Sequence, residues 1–288
     1  MNIFAILVTY HPDADALTRT VAALHASGAR VIVADNTPGG APPPPAGCIA
    51  LDMGGNTGIA RAQNAAIRRA QAEGADILVF FDQDSSIAPD LVRRLAAGLD
   101  PARPGLIAPL YFDARQGFEC PNLVLNDWGY PNKVLADGRT EPYPVDVRIS
   151  SGSAVTACTF AVSGLFDEAL FLDYVDSEWC LRARARGVPL LIDPTLSMRH
   201  AIGSHVVRFG PLRVWVDGPV RSYYRMRNAF LLLRRREVPK VFALKEITSE
   251  LVHQTIQLFI ADRRRARFGA YLEGLWHGLT GVGGRRAA

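Results

Sequence analysis

The chain has 288 residues, 49 % of them hydrophobic, so it can bury a sizeable core and is not disordered over most of its length. The net charge of +4 is modest, and four widely spaced cysteines match neither a metal-ligand nor a disulfide pattern. Neither a secretory signal nor an apolar run long enough to span a bilayer is found, so we expect a cytoplasmic protein.

Apolar runs alternate with segments of helical period over the first 110 residues. The segments DALTRTVAALHASG and GIARAQNAAIRRAQAEG each end at glycine, as helices tend to. The predicted strands before, between and after these two segments are IFAILVT, VIVAD, CIALDM, ILVFFD and GLIAPLY. This order predicts an α/β fold with a mostly parallel sheet flanked by helices, in which ligands bind beyond the carboxyl ends of the strands.

The rest of the chain divides into three stretches. Residues 112–150 are rich in Gly, Pro, Asn and Asp and predict a long irregular loop. Helical period returns at about 174–186 and dominates from 219 onward. We therefore expect one domain over residues 1–218, with a nucleotide-binding half (1–110) and a second half (111–218), followed by a helical region over 219–288.

Asp82 ends the apolar run ILVFFD, and Asp84 follows it two residues later. Because side chains two apart point the same way along an extended segment, both carboxylates can face one point. Two close carboxylates repel each other unless a cation lies between them, and oxygen ligands favour Mg²⁺ or Mn²⁺. The alternative is that these acids only end a strand and cap the helix at PDLVRRLAAG.

Polar side chains also end the neighbouring strands. Thr9 and Tyr10 end the first, and Asp35 ends the second, where its carboxylate can accept hydrogen bonds from a base or ribose. Alternatively, the dipeptide after this strand is a common turn. Farther on, Asn56 or Thr57 can cap a helix beginning near residue 58.

Asn64 lies on the apolar face of the helix that follows. A polar amide on such a face needs a hydrogen-bonding partner, which is either local backbone or a ligand.

These segments carry a family resemblance. VTYHPD, VADNT, GGNTGIARAQNAAI and FFDQDS, in this order, resemble the nucleotide-sugar-binding half of the family-2 inverting glycosyltransferases, which have the GT-A fold. The resemblance continues through SSGSAVTACTFAVSGLFDEALFLDYVDSEWCLRARARG, RHAIGSH and RSYYRMRN, and it reaches from residue 3 to about 235. The combination is most similar to the bacterial rhamnosyltransferases of this family.

The resemblance implies a role for each matching position. Asp82 and Asp84 would form the metal-binding DxD motif, and His200 would add a ligand, although a lone histidine is also often structural. The nucleotide sugar would contact Thr9, Tyr10, Asp35, Asn56, Gly58, Arg61, Asp82 and Gln83. The acceptor or the diphosphate would contact Ser151, Gly152, Ser153, Glu178, Arg221, Tyr224, Arg227 and Asn228.

Asp176 in DYVDSEW would be the catalytic base of this family. The sequence departs from the commoner family pattern, because Val175 stands where an acid usually precedes the base. Asp173 and Glu178 are possible substitutes. Glu178 lies four residues before Arg182, a spacing that suits a surface ion pair. Glu178 therefore has a ready structural explanation, whereas Asp176 has less of one.

The activity implied is metal-dependent, inverting transfer of L-rhamnose from dTDP-L-rhamnose to a saccharide or lipid-linked glycan, in bacterial surface polysaccharide or glycolipid biosynthesis. One alternative keeps the fold and mechanism with another donor, such as UDP-galactofuranose, UDP-glucose or UDP-GlcNAc. Another is a non-catalytic nucleotide-binding scaffold.

The last fifty residues carry no catalytic signature. VFALKEITSELVHQTIQLFIADRRRARF predicts an amphipathic helix ending in arginines, and YLEGLWHGLTGVGGRR places Leu and Trp beside a basic end. Both suit a peripheral contact with the anionic inner face of the cytoplasmic membrane. A helical dimer interface or a core cover is the alternative. Without an aromatic-basic RNA signature, we expect no nucleic-acid partner.

Overall fold

The computed structural model describes residues 1–40, 42–113, 117–200, 205–209, 212–216 and 218–287; of residues 200, 205–209 and 212–215 it describes the backbone alone. Strands and helices alternate through the first part, so the five predicted strands and the two predicted helices are confirmed. In chain order they are β1 (Ile3–Thr9), α1 (Ala14–Ala26), β2 (Arg30–Asp35), β3 (Ile49–Asp52), α2 (Ile59–Ala72), β4 (Ile77–Asp82), α3 (Leu91–Ala97) and β5 (Leu106–Asp113).

The predicted irregular loop over 112–150 is wrong, because four short strands lie there. Two of them form a hairpin in which Asn122 pairs with Val134, and the Asp146 carboxylate accepts a hydrogen bond of 2.6 Å from the backbone N–H of Leu125. Strands of two to four residues leave no period to read. They are β6 (Glu119–Cys120), β7 (Asn122–Leu125), β8 (Pro131–Val134) and β9 (Tyr143–Pro144).

The middle of the chain then supplies the remaining strands and one long helix. The helix predicted over about 174–186 is confirmed as α5. The elements are β10 (Ala154–Thr156), α4 (Thr159–Ser163), α5 (Val175–Ala185), β11 (Leu190–His200), β12 (His205–Phe209) and β13 (Leu212–Val216).

Within the described residues, the central sheet has nine strands in the order β3-β2-β1-β4-β10-β5-β11-β9, with β6 beside β5. β1 to β4 are mutually parallel, as are β5 and β11, whereas β10 lies antiparallel between β4 and β5. The sheet is therefore mostly parallel, as predicted. The inserted β10 brings residues 150–153 to the carboxyl end of β4.

Both faces of the sheet are covered. On one face Leu7 packs in a cluster with Leu95 of α3, and on the other Phe4 packs with Ile67 of α2 and Trp179 of α5. All five side chains are at most 2 % exposed. Strands buried on both faces are expected to be continuously apolar, which explains the unbroken runs of the sequence.

The C-terminal part is helical and consists of α6 (Pro219–Leu232), α7 (Lys240–Ile260) and α8 (Arg264–Thr280). The prediction of one helix ending in the arginines is wrong, because the chain turns at 261–263 and the arginines begin α8 instead. α8 packs closely on α6: a Cβ atom at Gly274 would lie 2.6 Å from the carbonyl oxygen of Tyr223. None of the helices in the described ranges is long and apolar enough to cross a membrane.

Candidate active site

The carboxyl ends of β1, β2 and β3 form one side of the site. Thr9 lies opposite Asp35 in the register, and its hydroxyl donates a hydrogen bond of 2.8 Å to the Asp35 carboxylate. The Thr37 hydroxyl donates to the same oxygen, also at 2.8 Å. These two bonds hold Asp35 in one orientation at the edge where the sequence predicts the nucleotide, and Tyr10 beside it is largely exposed.

A cleft of about 110 Å³ opens beside Asp35. Asp52 lines it from the end of β3, where it pairs with Asp35 in the register, and Pro42 and Pro44 line it from the loop between β2 and β3. Sequence reasoning missed these three residues. The available signal was that the predicted strand CIALDM also carries an acid, Asp52, next to its end.

Asp82 is the last residue of β4, whereas Asp84 is exposed in the turn that follows. The extended alternation used to align the two carboxylates therefore stops at Asp82, and that part of the reasoning is wrong. Neither acid caps α3, because Asp90 occupies its N-cap position. Both carboxylates lie at the edge of the sheet that carries Asp35.

Gln83, between them, makes two hydrogen bonds to the backbone of Tyr10. Its side-chain oxygen accepts from the Tyr10 N–H at 2.8 Å, and its amide nitrogen donates to the Tyr10 carbonyl at 3.3 Å. Gln83 was predicted to contact the nucleotide sugar. In the structure it ties the end of β4 to the end of β1.

Two carboxylates fit a hard divalent cation, because Mg²⁺ is commonly bound by one or two carboxylates together with substrate phosphates. Among the described side chains, no group of three or more His, Cys, Asp or Glu residues could hold a metal by itself. His200, the predicted third ligand, ends β11 opposite Asp113 in the register, and its side chain lies outside the described part of the chain.

The segment between β3 and α2 forms the next wall. α2 begins at Ile59 with Gly58 at its N-cap, so neither Asn56 nor Thr57 caps it. The Asn56 side chain instead accepts a hydrogen bond of 3.1 Å from the Gly58 N–H, and Arg61 is exposed in the first helical turn.

Asn64 is buried, and its partner is neither local backbone nor a ligand. Its side chain accepts from the Phe166 N–H at 2.9 Å and donates to the Phe166 carbonyl at 3.0 Å. Asn64 therefore joins α2 to the segment that leads to α5.

Residues 169–174, which we call the base loop, precede α5. Phe171, Asp173 and Tyr174 have φ angles of 63°, 59° and 60°, a region that non-glycine residues rarely adopt. The loop contacts the start of α2: the Ile59 N–H donates to the Phe171 carbonyl at 2.9 Å. A Cβ atom on Gly58, whose φ is +87°, would lie 2.6 Å from the Phe171 ring. Backbone strain of this kind concentrates at functional sites.

Asp176 is the second residue of α5 and is half-buried. The pKa of its carboxyl group is raised to about 6, chiefly by burial and to a smaller extent by the negative charges of Asp82 and Asp173. Hydrogen bonds from the N–H and hydroxyl groups of Ser150 offset part of this rise. Ser150 was not predicted, although it begins the SSGS motif whose other members were.

Glu178 forms the predicted ion pair with Arg182, but not at the surface. Its side chain is 2 % exposed, and its two oxygens accept from Arg182 at 2.7 and 2.8 Å. Because this carboxylate is buried in a bidentate pair, the structure does not place it where it could contact an acceptor.

Ser151 and Ser153 form hydrogen bonds with the backbone at the end of β4. The Ser151 hydroxyl accepts from the Asp82 N–H at 3.2 Å, and the Ser153 carbonyl accepts from the Phe80 N–H at 3.1 Å. Gly152 donates to the Phe80 carbonyl at 2.6 Å. All three residues are buried, which differs from the predicted contact with the acceptor.

Arg227 and Asn228 of α6 are fully buried, in contrast to the predicted contact with diphosphate or acceptor. The Asn228 amide donates to three carbonyl oxygens of the base loop, those of Leu170 (2.8 Å), Leu172 (2.6 Å) and Asp173 (3.0 Å). The Arg227 guanidinium donates to the carbonyls of Ala169 (3.1 Å), Leu170 (2.9 Å) and Gly284 (2.6 Å). The pair therefore holds the base loop.

The other two residues of this motif also contact the base loop. The Tyr224 ring stacks on Phe171 with centroids 4.8 Å apart, so it presents no open face to a sugar. Arg221 forms an ion pair of 2.8 Å with Asp173 and remains half-exposed.

A mostly parallel α/β sheet with carboxylates along one edge, completed by an antiparallel strand and a helical C-terminal part, is a glycosyltransferase architecture of the GT-A type. The family model "Glycosyl transferase family 2" matches residues 5–132. The dTDP-rhamnosyl transferase RfbF of Shigella flexneri is 36 % identical over 293 residues, which cover 98 % of each chain. The chain therefore belongs to glycosyl transferase family 2 and is a glycosyltransferase.

Solved structures share the fold at low sequence identity. S. aureus TarS 1-349 in complex with UDP-GlcNAc matches with a TM-score of 0.57 and 12 % identity, over 98 % of this chain and 82 % of that one. GalNAc-T7 with UDP, GalNAc and Mn²⁺ matches with a TM-score of 0.55 and 13 % identity. The latter match covers 91 % of this chain but 58 % of GalNAc-T7.

Proposed function

We propose that the protein transfers L-rhamnose from dTDP-L-rhamnose, with inversion, to a saccharide or lipid-linked acceptor of a bacterial surface glycan. The observation that carries the proposal is Asp176, a carboxylate with a raised pKa that is close enough to Asp82 to feel its charge, at the sheet edge where β2 and β4 end in Asp35 and Asp82. The choice of donor is supported by the RfbF relative, which is named for dTDP-rhamnosyl transfer.

The nucleoside would lie in the cleft beside Asp35. The oriented Asp35 carboxylate can accept hydrogen bonds from the base or ribose, while exposed Tyr10 offers a stacking face. Arg61, exposed at the start of α2, suits the diphosphate because a guanidinium binds phosphate in bidentate fashion.

Mg²⁺ or Mn²⁺ would be held by Asp82 and Asp84, with His200 as a further ligand. When bound, this cation offsets the charge that builds on the departing diphosphate. The hydrogen bonds from Gln83 to Tyr10 hold the end of β4 and the following turn, which carry Asp82 and Asp84, against the end of β1.

Asp176 would take the proton from the acceptor hydroxyl as its oxygen attacks the anomeric carbon from the face opposite the diphosphate. A pKa of about 6 makes this carboxylate a stronger base than an ordinary aspartate while leaving it ionised at neutral pH. The two alternatives are engaged elsewhere: Asp173 pairs with Arg221, and Glu178 pairs with Arg182. The Val175 departure therefore does not remove the base.

The first experiment is melting of the protein with Mn²⁺ or Mg²⁺ and a panel of dTDP, UDP, GDP and dTDP-L-rhamnose. We expect the largest rise in Tm with thymidine nucleotides, since specific binding stabilises the folded state. The rise should need the metal and disappear in Asp84→Ala, but not in Asp90→Ala, a matched exposed acid at α3.

Two other outcomes of the melting experiment would overturn parts of the proposal. A larger shift with UDP would overturn the rhamnosyl donor and favour a UDP-sugar such as UDP-galactofuranose, UDP-glucose or UDP-GlcNAc. A full shift with thymidine nucleotides in the presence of EDTA would overturn the metal assignment.

A further inference from the structure

α8 turns its small residues inward and its large apolar residues outward. Ala270 and Gly274 are buried on its inner side, whereas Trp276 is 65 % exposed. The exposed apolar residues follow one another at helical spacing and form a stripe about 16 Å long. They are Phe268, Leu272, Trp276 and Leu279.

The second half of α7 is inverted in the same way. Its buried side chains are polar, while Phe259 near its end is 68 % exposed. The buried Glu250 carboxylate accepts from the Tyr174 hydroxyl at 3.1 Å and from Arg225 at 3.0 Å. The buried polar side chains therefore have hydrogen-bonding partners within the protein. This shows that α7 packs with its polar side inward and exposes its apolar side. The buried polar residues are Glu250, Gln254 and Gln257.

Positive charge lies between the two helices. Arg263, Arg264 and Arg265 are all exposed, at the turn and at the start of α8, in a shallow depression formed by residues 260–266. The N-terminus of a helix carries a further partial positive charge. The single negatively charged residue in this turn is Asp262.

We propose that this outer face, Phe259, Phe268, Leu272, Trp276 and Leu279 with Arg263–Arg265, docks on a bilayer surface that contains anionic phospholipid. Phosphate headgroups match the arginines, and the apolar stripe enters the boundary between headgroups and acyl chains. Tryptophan is enriched at that depth because its ring is amphipathic. This inference goes beyond the proposed reaction and does not depend on the donor.

A second copy of this chain, paired through the same face, fits less well. It would need carboxylates opposite the arginines. Glu273 is the single acid of α8, and its carboxylate already accepts from Arg286 at 3.0 Å. An anionic membrane supplies the missing negative charge.

The test is co-sedimentation of the full-length protein with vesicles of phosphatidylcholine and with vesicles of an equal mixture of phosphatidylcholine and phosphatidylglycerol. We expect binding to the mixed vesicles that weakens as salt is raised. Phe268→Ser/Trp276→Ser should weaken it about tenfold or more through lost apolar burial, and Arg264→Gln/Arg265→Gln about tenfold through lost attraction.

Trp128→Ser is the matched control, because Trp128 is 81 % exposed in the β7–β8 turn and should leave binding unchanged. Equal Tm values and equal Tm shifts with donor nucleotide would show that the variants fold and keep the donor site. Absence of binding to the mixed vesicles, or binding that neither double variant weakens, would overturn the proposal. So would a dimer in light scattering that these variants dissociate, which would assign the face to a second copy.

Discussion

The Asp176 carboxyl group lies where burial destabilises its ionised form and raises its pKa. Its pKa of about 6 lies above the ordinary value of 3.8, so the folded state binds this proton more tightly than the unfolded state. The stabilising effect of the bound proton is present at low pH and is lost as pH rises from about 4 through about 6. At neutral pH the ionised group therefore destabilises the fold, as groups selected for chemistry often do.

Asp176→Asn separates the proposed catalytic effect of this carboxylate from its effect on stability. We expect kcat to fall by about 10²- to 10⁴-fold, because the base is removed. The Tm at neutral pH should stay equal or rise, since about two pKa units correspond to at most about 3 kcal/mol, less here because the group is only half-buried. Activity assays and thermal melts check both. Retained activity would show that another group acts as the base.

The same pKa predicts the acid limb of the pH–rate profile. We expect kcat/KM to fall below about pH 6, because Asp176 must be ionised to accept a proton. Removing the charge of Asp173 should lower the pKa, so Asp173→Asn should move the limb to lower pH. A limb that moves upward in this variant, or that persists unchanged in Asp176→Asn, would contradict the assignment.

The type of a residue alone does not show whether its side chain contacts a ligand or another part of the protein. Asn64 and Asn228 each carry an amide that could bind a substrate, yet both donate to buried backbone carbonyls more than fifty residues away. Nothing local in the sequence encodes those partners. Asp35 and Asp82 were placed correctly at the sheet edge, because strand ends are local features.

At the scale of elements, α6 holds the base loop and so positions the start of α5. Asn228 alone supplies donors to three carbonyls of this loop. Its anchoring maintains three residues in an unfavourable backbone region. The position of the proposed base would therefore depend on contacts made by a neighbouring helix.

Asn228→Ala should leave these buried carbonyls without that donor, at a cost of about 1–3 kcal/mol. We expect kcat to fall at least about tenfold while the nucleotide-induced Tm shift persists. Val220→Ala is the control, because this α6 side chain is 57 % exposed and is not one of the groups shown to hold the base loop. Equal effects of the two variants on kcat would argue against a positioning role.

Elements were predictable where their period was long enough to read. The helices of the first part and α5 follow a clear period. The strands β6–β9 are too short to show one, and the break between α7 and α8 has no Gly or Pro to mark it: the chain turns at Arg263, with φ of 55°. That turn is fixed by packing of α8 on α6, a non-local contact.

For the molecule as a whole, alternation of strands and helices predicted a mostly parallel sheet with its site at the carboxyl edge. It did not predict β10 between β4 and β5, since a three-residue strand is placed by pairing with distant neighbours. That strand brings Ser150 to Asp176 and Ser151 to Asp82, and these contacts could be found only from the fold.

The C-terminal tail, residues 281–287, connects the far end of the chain to the base loop. Gly284 donates to the Ala169 carbonyl at 2.6 Å, and its own carbonyl accepts from Arg227 at 2.6 Å. The Arg286 N–H donates to the Tyr224 hydroxyl at 2.9 Å. The tail therefore contacts the base loop and also the α6 side chains of Tyr224 and Arg227.

Deleting residues 282–288 should remove these contacts and leave the Arg227 guanidinium and the Ala169 carbonyl short of partners. We expect kcat to fall about tenfold or more and Tm to fall by several degrees, because buried polar groups lose hydrogen bonds. Donor nucleotide should still raise the Tm, since the residues that line the Asp35 cleft all lie between Thr9 and Asp52 and none belongs to the tail. Deleting only 287–288 spares the contacts of Gly284 and Arg286 and should match wild type. If the longer deletion kept wild-type kcat, the tail would have no part in holding the base loop, and α6 alone would position it.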